Sequence, residues 1–433
     1  MVYAVAVRSS ARRHPSSQEE VAWSARLPGE FSFLVSSATG RPVQPAFDYL
    51  RDTYIRGRTR PRFIGAENTI RAVVRDLTDF HDYLDARGKL VEAVDEGELE
   101  EYLLTMVDNV SPTTGKKYSA ATITRRKSSV CSFLKYCQEK GRLQNRFSVT
   151  TSKTPRGSTE RVGAEIPVPA TGPIDRLIRA VDPRVLKEIL DETGPAAVAV
   201  NEQGQIELTG ELCRARLMSE VCLQTGIRRE ECCQLQRDLV AQADIEGRSP
   251  LSFVAIPVRG KGGKTRNVPF PVWLLAALRQ YVSVVRDPIV EDAISSGSME
   301  QDHGRLFVLE TKRNSVWGRR LLPGQFGLEF RVARERLVRR LAADPKAEIM
   351  LERVRRTRLC IHALRHTFAL TTFIQRRSQG DADAAKYVQS VLGHSFRETT
   401  ENMYLRSSHT YEAELSEAYE LLLRGAIDAR KTA

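Results

Sequence analysis

Residues 361–370 read IHALRHTFAL, and residues 391–404 read VLGHSFRETTENMY. In the first run His362 and Arg365 stand at i and i+3 of a predicted helix and so share a face. His366 is expected to point elsewhere, as a hydrogen-bonded core histidine. In the second run His394 follows Gly393, a residue that lets the chain turn sharply, and Tyr404 comes ten residues later. Two more clusters belong with these. TGIRREECCQL places Arg228 after a Thr-Gly break and three residues before Glu231, and GKGGKTRNVPF places Lys261 in a glycine-rich turn. Taken singly, each has an ordinary reading: Arg228 as a surface arginine paired with Glu231, His394 as a structural histidine. The Lys261 turn lacks Walker spacing and sits between two apolar runs rather than before a helix, which argues against a nucleotide loop. As an ordered set they suit chemistry at a phosphodiester. Arginine forks match non-bridging phosphate oxygens, histidines hydrogen-bond them or move protons, and a tyrosine hydroxyl can attack and retain the phosphoryl group.

Composition points to the same partner. Lys and Arg number 66 against 54 Asp and Glu, a formal charge of +12. Such a balance fits a protein that meets a polyanion such as double-stranded DNA. The densest basic stretch, Arg331 to Arg365, has eleven Lys/Arg against four Asp/Glu. The 433 residues suffice for two or three domains with their own cores. Seven cysteines are scattered, with Cys232-Cys233 the one close pair. They read as reduced core thiols in a reducing cytoplasm, and no Cys-x-x-Cys or His-x-x-x-His spacing is read as suggesting zinc. No metal or cofactor is expected. No apolar run reaches the ~20 residues of a membrane span. The N-terminus places its apolar residues before its basic ones, the wrong order for a secretory signal.

Along the chain, residues 1–62 read as an extension of uncertain order. It closes on Arg56, Arg58, Arg60 and Arg62, which suit either a solvated face or an arm gripping phosphates. Residues 63–148 read as a small all-α domain. Ile70, Val73, Val74, Leu77, Phe80 and Leu84 form one stripe, Asp95 and Glu98 resemble a capping box, and Ser119 opens a third helix ended by Gly141. Arg125, Arg126 and Lys127, in the first turns of that helix, are candidate DNA contacts. Residues 149–172 read as a linker of low periodicity. Residues 173–433 form a larger, mostly helical domain with one β-hairpin, Leu251–Val258 and Val268–Phe270 flanking the basic turn, and with an amphipathic tail from Tyr411 to Ile427. The expected class is mostly α with a small β-hairpin.

In the order Arg, Lys, His-x-x-Arg, His, Tyr, the set resembles the tyrosine recombinase (phage integrase) family over roughly residues 65–424. TGIRREECCQL is similar to the first arginine box, IHALRHTFAL to the second, VLGHSFRETTENMY to the third, and residues 63–148 to the SAM-like core-binding domain. The resemblance implies that Arg228 and Arg365 clamp the scissile phosphate, with His362 and His394 assisting. It makes Lys261 the acid for the leaving 5′ oxygen, Tyr404 the nucleophile and Glu231 a support for the first arginine. It implies site-specific cleavage and rejoining through a covalent 3′-phosphotyrosine, without metal or ATP, by a tetramer on paired sites linked through the C-terminal helix, with or without accessory proteins, in a bacterial cytoplasm. Tyr404 lies one residue further from its histidine than is common in the family, and Tyr411 lies nearby. The stretch Glu192 to Thr209 is an insertion before the first box. Two other outcomes share the scaffold: type IB topoisomerase-like relaxation, and a DNA-binding accessory factor that cannot cleave. The complete set of six residues argues against the accessory factor.

Overall fold

The computed structural model describes residues 2–6, 27, 31–55, 67–111, 115–154, 157–162, 180–260, 263–311, 316–357 and 359–393. They fall into two units, residues 1–175 and 176–433.

The first unit begins with structure where an extension of uncertain order is expected. Val2–Ala6 (β1) pairs antiparallel with Ser32–Ser36 (β2), Val2 opposite Ser36 and Ala6 opposite Ser32. Gln44–Tyr54 (α1) follows, with a proline in its first turn, where the missing N–H costs nothing. Phe31, Leu34, Phe47 and Leu50 are buried in one core with the helices that follow, and Phe31 meets Phe47 edge-on at 6.3 Å. Average composition, rich in Ser, Arg and Pro, hides these few aromatics, and burying each is worth ~1.5–3 kcal/mol.

Glu67–Asp85 (α2) buries the expected stripe, Ile70, Val73, Val74, Leu77, Phe80 and Leu84. Glu96–Asp108 (α3) starts where the Asp95 side chain accepts the Glu98 N–H at 2.8 Å, and Ala120–Glu139 (α4) where Ser119 caps Thr122. Gly88 and Gly141 adopt the left-handed conformation just past α2 and α4. The stretch 149–172, expected as an irregular linker, carries a hairpin. Val149–Thr154 (β3) pairs with Gly157–Val162 (β4) in register Thr154 to Gly157. A run of Thr and Ser residues suits extended backbone as well as it suits a linker, so composition could not separate the two.

The second unit opens with Pro183–Thr193 (α5), capped by Asp182. The insertion then folds into a short hairpin, Val198–Val200 (β5) with Ile206–Leu208 (β6). Arg214–Thr225 (α6), Arg229–Cys233 (α7) and Arg237–Ala241 (α8) lead to the expected larger hairpin, Phe253–Arg259 (β7) with Thr265–Pro271 (β8). Val272–Tyr281 (α9) passes through a π-helical turn, Val282–Arg286, into Asp287–Ser295 (α10). Pro323–Ala343 (α11), Glu348–Arg356 (α12), Ile361–Ser378 (α13) and Ala384–Leu392 (α14) complete the described helices. A large apolar core joins most of them, with Leu217, Val221, Val268, Phe270, Leu278, Phe307, Leu364, Leu370 and Leu392 all fully enclosed, while Ile289 and Val290 of α10 pack with Val308 in a smaller one. Arg286 is as buried as any of these. Asp302 and Asp287 hold its guanidinium, and the Arg305 carbonyl accepts from its Nε at 2.9 Å, as a buried charge requires. All seven cysteines are unbridged.

Candidate active site

Helix α6 stops at Gly226 because only glycine fits there. Its φ is +66°, and a Cβ would lie 2.3 Å from Cδ1 of Phe368 on α13. The chain leaves that turn extended, so Arg228 sits at the cap position of α7 rather than inside a helix. Glu231, three residues on, reaches back. Its Oε2 accepts the Arg228 backbone N–H at 2.8 Å, and its Oε1 accepts Nη1 of the Arg228 side chain at 2.9 Å. This is capping-box geometry with an arginine in the cap. The Arg228 side chain stays 30% exposed while that of Glu231 is 4% exposed.

Glu231 has a second cation that sequence reasoning did not single out. Arg266 on β8 grips the same carboxylate with both terminal nitrogens, Nη1 to Oε1 at 3.0 Å and Nη2 to Oε2 at 2.8 Å. Burial alone would push the Glu231 carboxyl up. Hydrogen bonds from Arg266 and the Arg228 N–H, with the charges of both arginines, outweigh it and hold the group below its ordinary value. The carboxylate is therefore ionised beneath the two arginines. A signal for Arg266 was present in the sequence. It shares a strand face with Val268 and Phe270, so a charge sits at an inward position.

Arg365 is only 2% exposed. It donates Nη1 to the Gly226 carbonyl at 2.5 Å and Nη2 to the Leu392 carbonyl at 2.8 Å. It thereby ties α13 to the turn that carries Arg228 and to the end of α14. Arg266 joins the same end, its Nε donating to the Val391 carbonyl at 2.6 Å. Gly393, left-handed at φ +66°, closes α14, and a Cβ there would meet Arg266 Cδ at 3.1 Å. His362 is exposed and His366 half-buried, and their rings meet edge-on at 4.5 Å. This corrects the expectation that His366 points away, since i and i+4 share a helical face. The pair is also a His-x-x-x-His spacing, which corrects the expectation that no such spacing bears on zinc. Among the described residues, however, no group of three or more His, Cys, Asp or Glu is placed to hold a metal ion.

The other expected site residues divide in two. Lys261, His394 and Tyr404 lie outside the described residues, as do Arg56, Arg58, Arg60 and Arg62 and the tail from Tyr411. Arg125, Arg126 and Lys127 lie within them, in the first unit. Arg125 pairs with Asp76 and Arg126 with Asp79, the Arg126 guanidinium also stacking 4.6 Å over Tyr118. Lys127 is half-buried. No helix among the described residues is long and apolar enough to cross a membrane.

One carboxylate serving two arginines orients positive charge without cancelling it, and a third arginine locks the segments that carry them. The second unit is thus a helical scaffold built to present cations to an anion. Two family models match the chain, the phage integrase family over residues 206–410 and its N-terminal SAM-like domain over residues 65–141, together well over half its length. The chain belongs to the phage integrase family, the tyrosine recombinases. Among its relatives are the tyrosine recombinases XerC of Halalkalibacterium halodurans, 24% identical over 75% of this chain and 82% of that protein, and of Herpetosiphon aurantiacus, 26% identical over 77% and 83%. XerC of Mycobacterium tuberculosis is 27% identical over 77% of this chain and 86% of its own. In fold, the chain resembles the XerH site-specific recombinase solved with its palindromic difH substrate after cleavage. The TM-score is 0.50 at 17% identity, covering 90% of this chain and 92% of that one.

Proposed function

We propose that this chain is a site-specific DNA recombinase that breaks and rejoins double-stranded DNA through a 3′-phosphotyrosine. The observation that carries the reading is the Glu231 carboxylate shared by Arg228 and Arg266 next to the Arg365 tether. This geometry holds a partly exposed guanidinium in one orientation, as binding of a phosphodiester requires. Arg228 and Arg365 hold the scissile phosphate, and His362 and His394 hydrogen-bond its oxygens. The Tyr404 hydroxyl attacks phosphorus. A new Tyr–O–P bond forms, the P–O5′ bond breaks, the tyrosine proton departs and the 5′ oxygen takes up a proton, which Lys261 is placed in the family pattern to give. A free tyrosine, with pKa near ~10, is ionised to about one part in a thousand at neutral pH, so surrounding cations that favour the phenolate raise the rate. The phosphotyrosine retains the energy of the broken linkage. Attack by a 5′ hydroxyl of a second strand reverses the step and reseals the DNA.

The recombinase works in the bacterial cytoplasm on paired sites, as a tetramer in which the tail beyond Tyr411 links neighbouring protomers. The SAM-like unit argues for recombination over topoisomerase-like relaxation. The test is a set of nicked duplexes that trap a covalent adduct, followed by peptide mapping. The expected result is attachment at Tyr404, none with Tyr404→Phe and normal attachment with Tyr411→Phe. An adduct mapped to Tyr411 overturns the assignment, relaxation of a plasmid lacking any special site favours the topoisomerase, and binding without attachment favours an accessory factor.

A further inference from the structure

Arg266 occupies a place that the reaction as outlined leaves without a role. Its side chain is 14% exposed, on the inward face of β8, where Val268 and Phe270 are fully buried. Burying a guanidinium there is costly unless every contact is good. The contacts are good: both terminal nitrogens on Glu231 and Nε on the Val391 carbonyl. They reach elements far apart in sequence, α7 and the end of α14, from the hairpin. Two glycines make room for the arrangement. At Gly393 a Cβ would crowd Arg266 Cδ, and at Gly260 it would come 3.0 Å from Arg266 Nη1 and 3.1 Å from Glu231 Oε1.

We propose that Arg266 is a positioning residue for strand cleavage, acting through Glu231 on Arg228 and through the Val391 carbonyl on the end of α14, where the third box begins. The inference rests on the recombinase reading and goes beyond the six residues of that reading. If Glu231 had Arg228 as its one cationic partner, a buried carboxylate would draw that guanidinium inward and cancel its charge. Arg266 forks across the same two oxygens that take the Arg228 N–H and Nη1, so the trio carries a net positive charge and Arg228 keeps a fixed orientation. A point-charge lysine could neutralise Glu231 but could not also fork across both oxygens and reach Val391.

The experiment uses the full chain and nicked duplexes tiled across the DNA flanking its gene, with single-turnover covalent attachment as the readout. Arg266→Gln is expected to slow attachment ~100-fold, the scale of a small misplacement of a catalytic group, with DNA retention little changed; the melting temperature falls because Glu231 and the Val391 carbonyl lose buried donors, so the rate is read well below melting. Arg266→Lys, which keeps the charge if the Gln variant does not fold, restores part of the rate. Guanidinium ion, against a sodium chloride control of equal strength, speeds Arg266→Ala and not the wild type. The double variant Arg266→Gln with Glu231→Gln is no slower than the slower single variant, because both act in one chain of contacts. An Arg266→Gln chain that attaches at the wild-type rate, or a double variant whose losses simply multiply, overturns the proposal alone. A wild-type chain that attaches to none of the duplexes overturns the recombinase reading and this inference with it.

Discussion

The two units put their arginines to different uses. In the first unit Asp76 and Asp79 meet Arg125 and Arg126, two carboxylates for two guanidiniums, and Tyr102 adds an O–H to Asp79 at 2.8 Å. Asp48 takes both Arg142 at 2.8 Å and Arg51 at 2.9 Å, and Glu98 takes Lys89, with Arg87 at 3.7 Å. These acids and bases tie the helices to one another and to the turns that follow them. In the second unit one buried carboxylate, Glu231, serves both Arg228 and Arg266. The formal +12 of the chain therefore does not say where an anion binds. A shared carboxylate does not say so by itself either, since Asp48 and Glu98 are shared too; what sets Glu231 apart is that its two arginines come from the turn after α6 and from the hairpin, beside the Arg365 tether to the end of α14.

The sharpest break of this comparison is a pair of neutralising substitutions. Arg228→Gln should lower the rate of covalent attachment by ~10²–10³, as loss of a preorganised donor to developing charge does, while the unit stays folded because this side chain is 30% exposed. Arg126→Gln should do the reverse. Its side chain is 14% exposed between Asp79 and Tyr118, so folding stability should fall by roughly 1–3 kcal/mol. The salt dependence of DNA affinity should move by less than the ~0.9 expected per phosphate contact. Thermal melts and affinity at several salt concentrations separate the two. If Arg126→Gln flattens the salt dependence by a full contact, the first unit's arginines face DNA after all.

Arg365 lies between these extremes and sharpens the contrast. It is buried like a structural arginine, yet its partners are carbonyls of the segments that present the site. Arg365→Gln should leave the Gly226 and Leu392 carbonyls short of a donor, costing roughly 1–3 kcal/mol for each one orphaned. It should also abolish attachment. Measuring both on one sample at a temperature well below melting distinguishes loss of the site from loss of the fold. A stable Arg365→Gln chain that still attaches would show that the tether is not needed.

How much of this was legible in the sequence depended on the range of the interaction. Helix α2, its stripe and its stop at Gly88 follow from local spacing, and so do the caps at Asp95 and Ser119. The pairing of Glu231 with Arg228 is also local, three residues apart. Strand alternation could mark Arg266 as inward-facing but not name its partners, which stand 35 and 125 residues away, since no periodicity encodes a contact of that range. The β1–β2 pair escaped for the same reason. Val2 and Ser36 stand 34 residues apart, and the buried Phe31, Leu34 and Val35 between them are invisible in an average. His366 was misjudged on rule rather than range, since i and i+4 belong on one face.

The smallest expected effect concerns the first unit's one buried histidine among the described residues. His81 on α2 is 7% exposed, its ring lies 6.0 Å from Phe133, and its Nε2 meets no hydrogen-bond partner among the described residues. Burial pushes its pKa down, and the nearby carboxylates Asp85, Asp82 and Glu92 recover only part of the shift. The native state thus favours neutral imidazole, and the unfolded chain binds the proton more readily. Stability from this group is fully present above the unfolded value of ~6.5 and is lost as pH falls below it toward the lower folded value. Glu231, also held below its ordinary value, contributes in the same direction in the second unit, at more acidic pH because its reference is a carboxylate's. Hydrogen exchange resolves the two units in the intact chain. Amides of α2 should lose protection from just below neutrality while those of α7 hold until the solution is distinctly more acidic. His81→Phe removes the titrating ring at similar volume, so it should flatten the α2 response and leave α7 unchanged. If α2 in the His81→Phe chain still loosens over the same pH range, the acid sensitivity of the first unit lies in its Asp–Arg pairs rather than in the histidine.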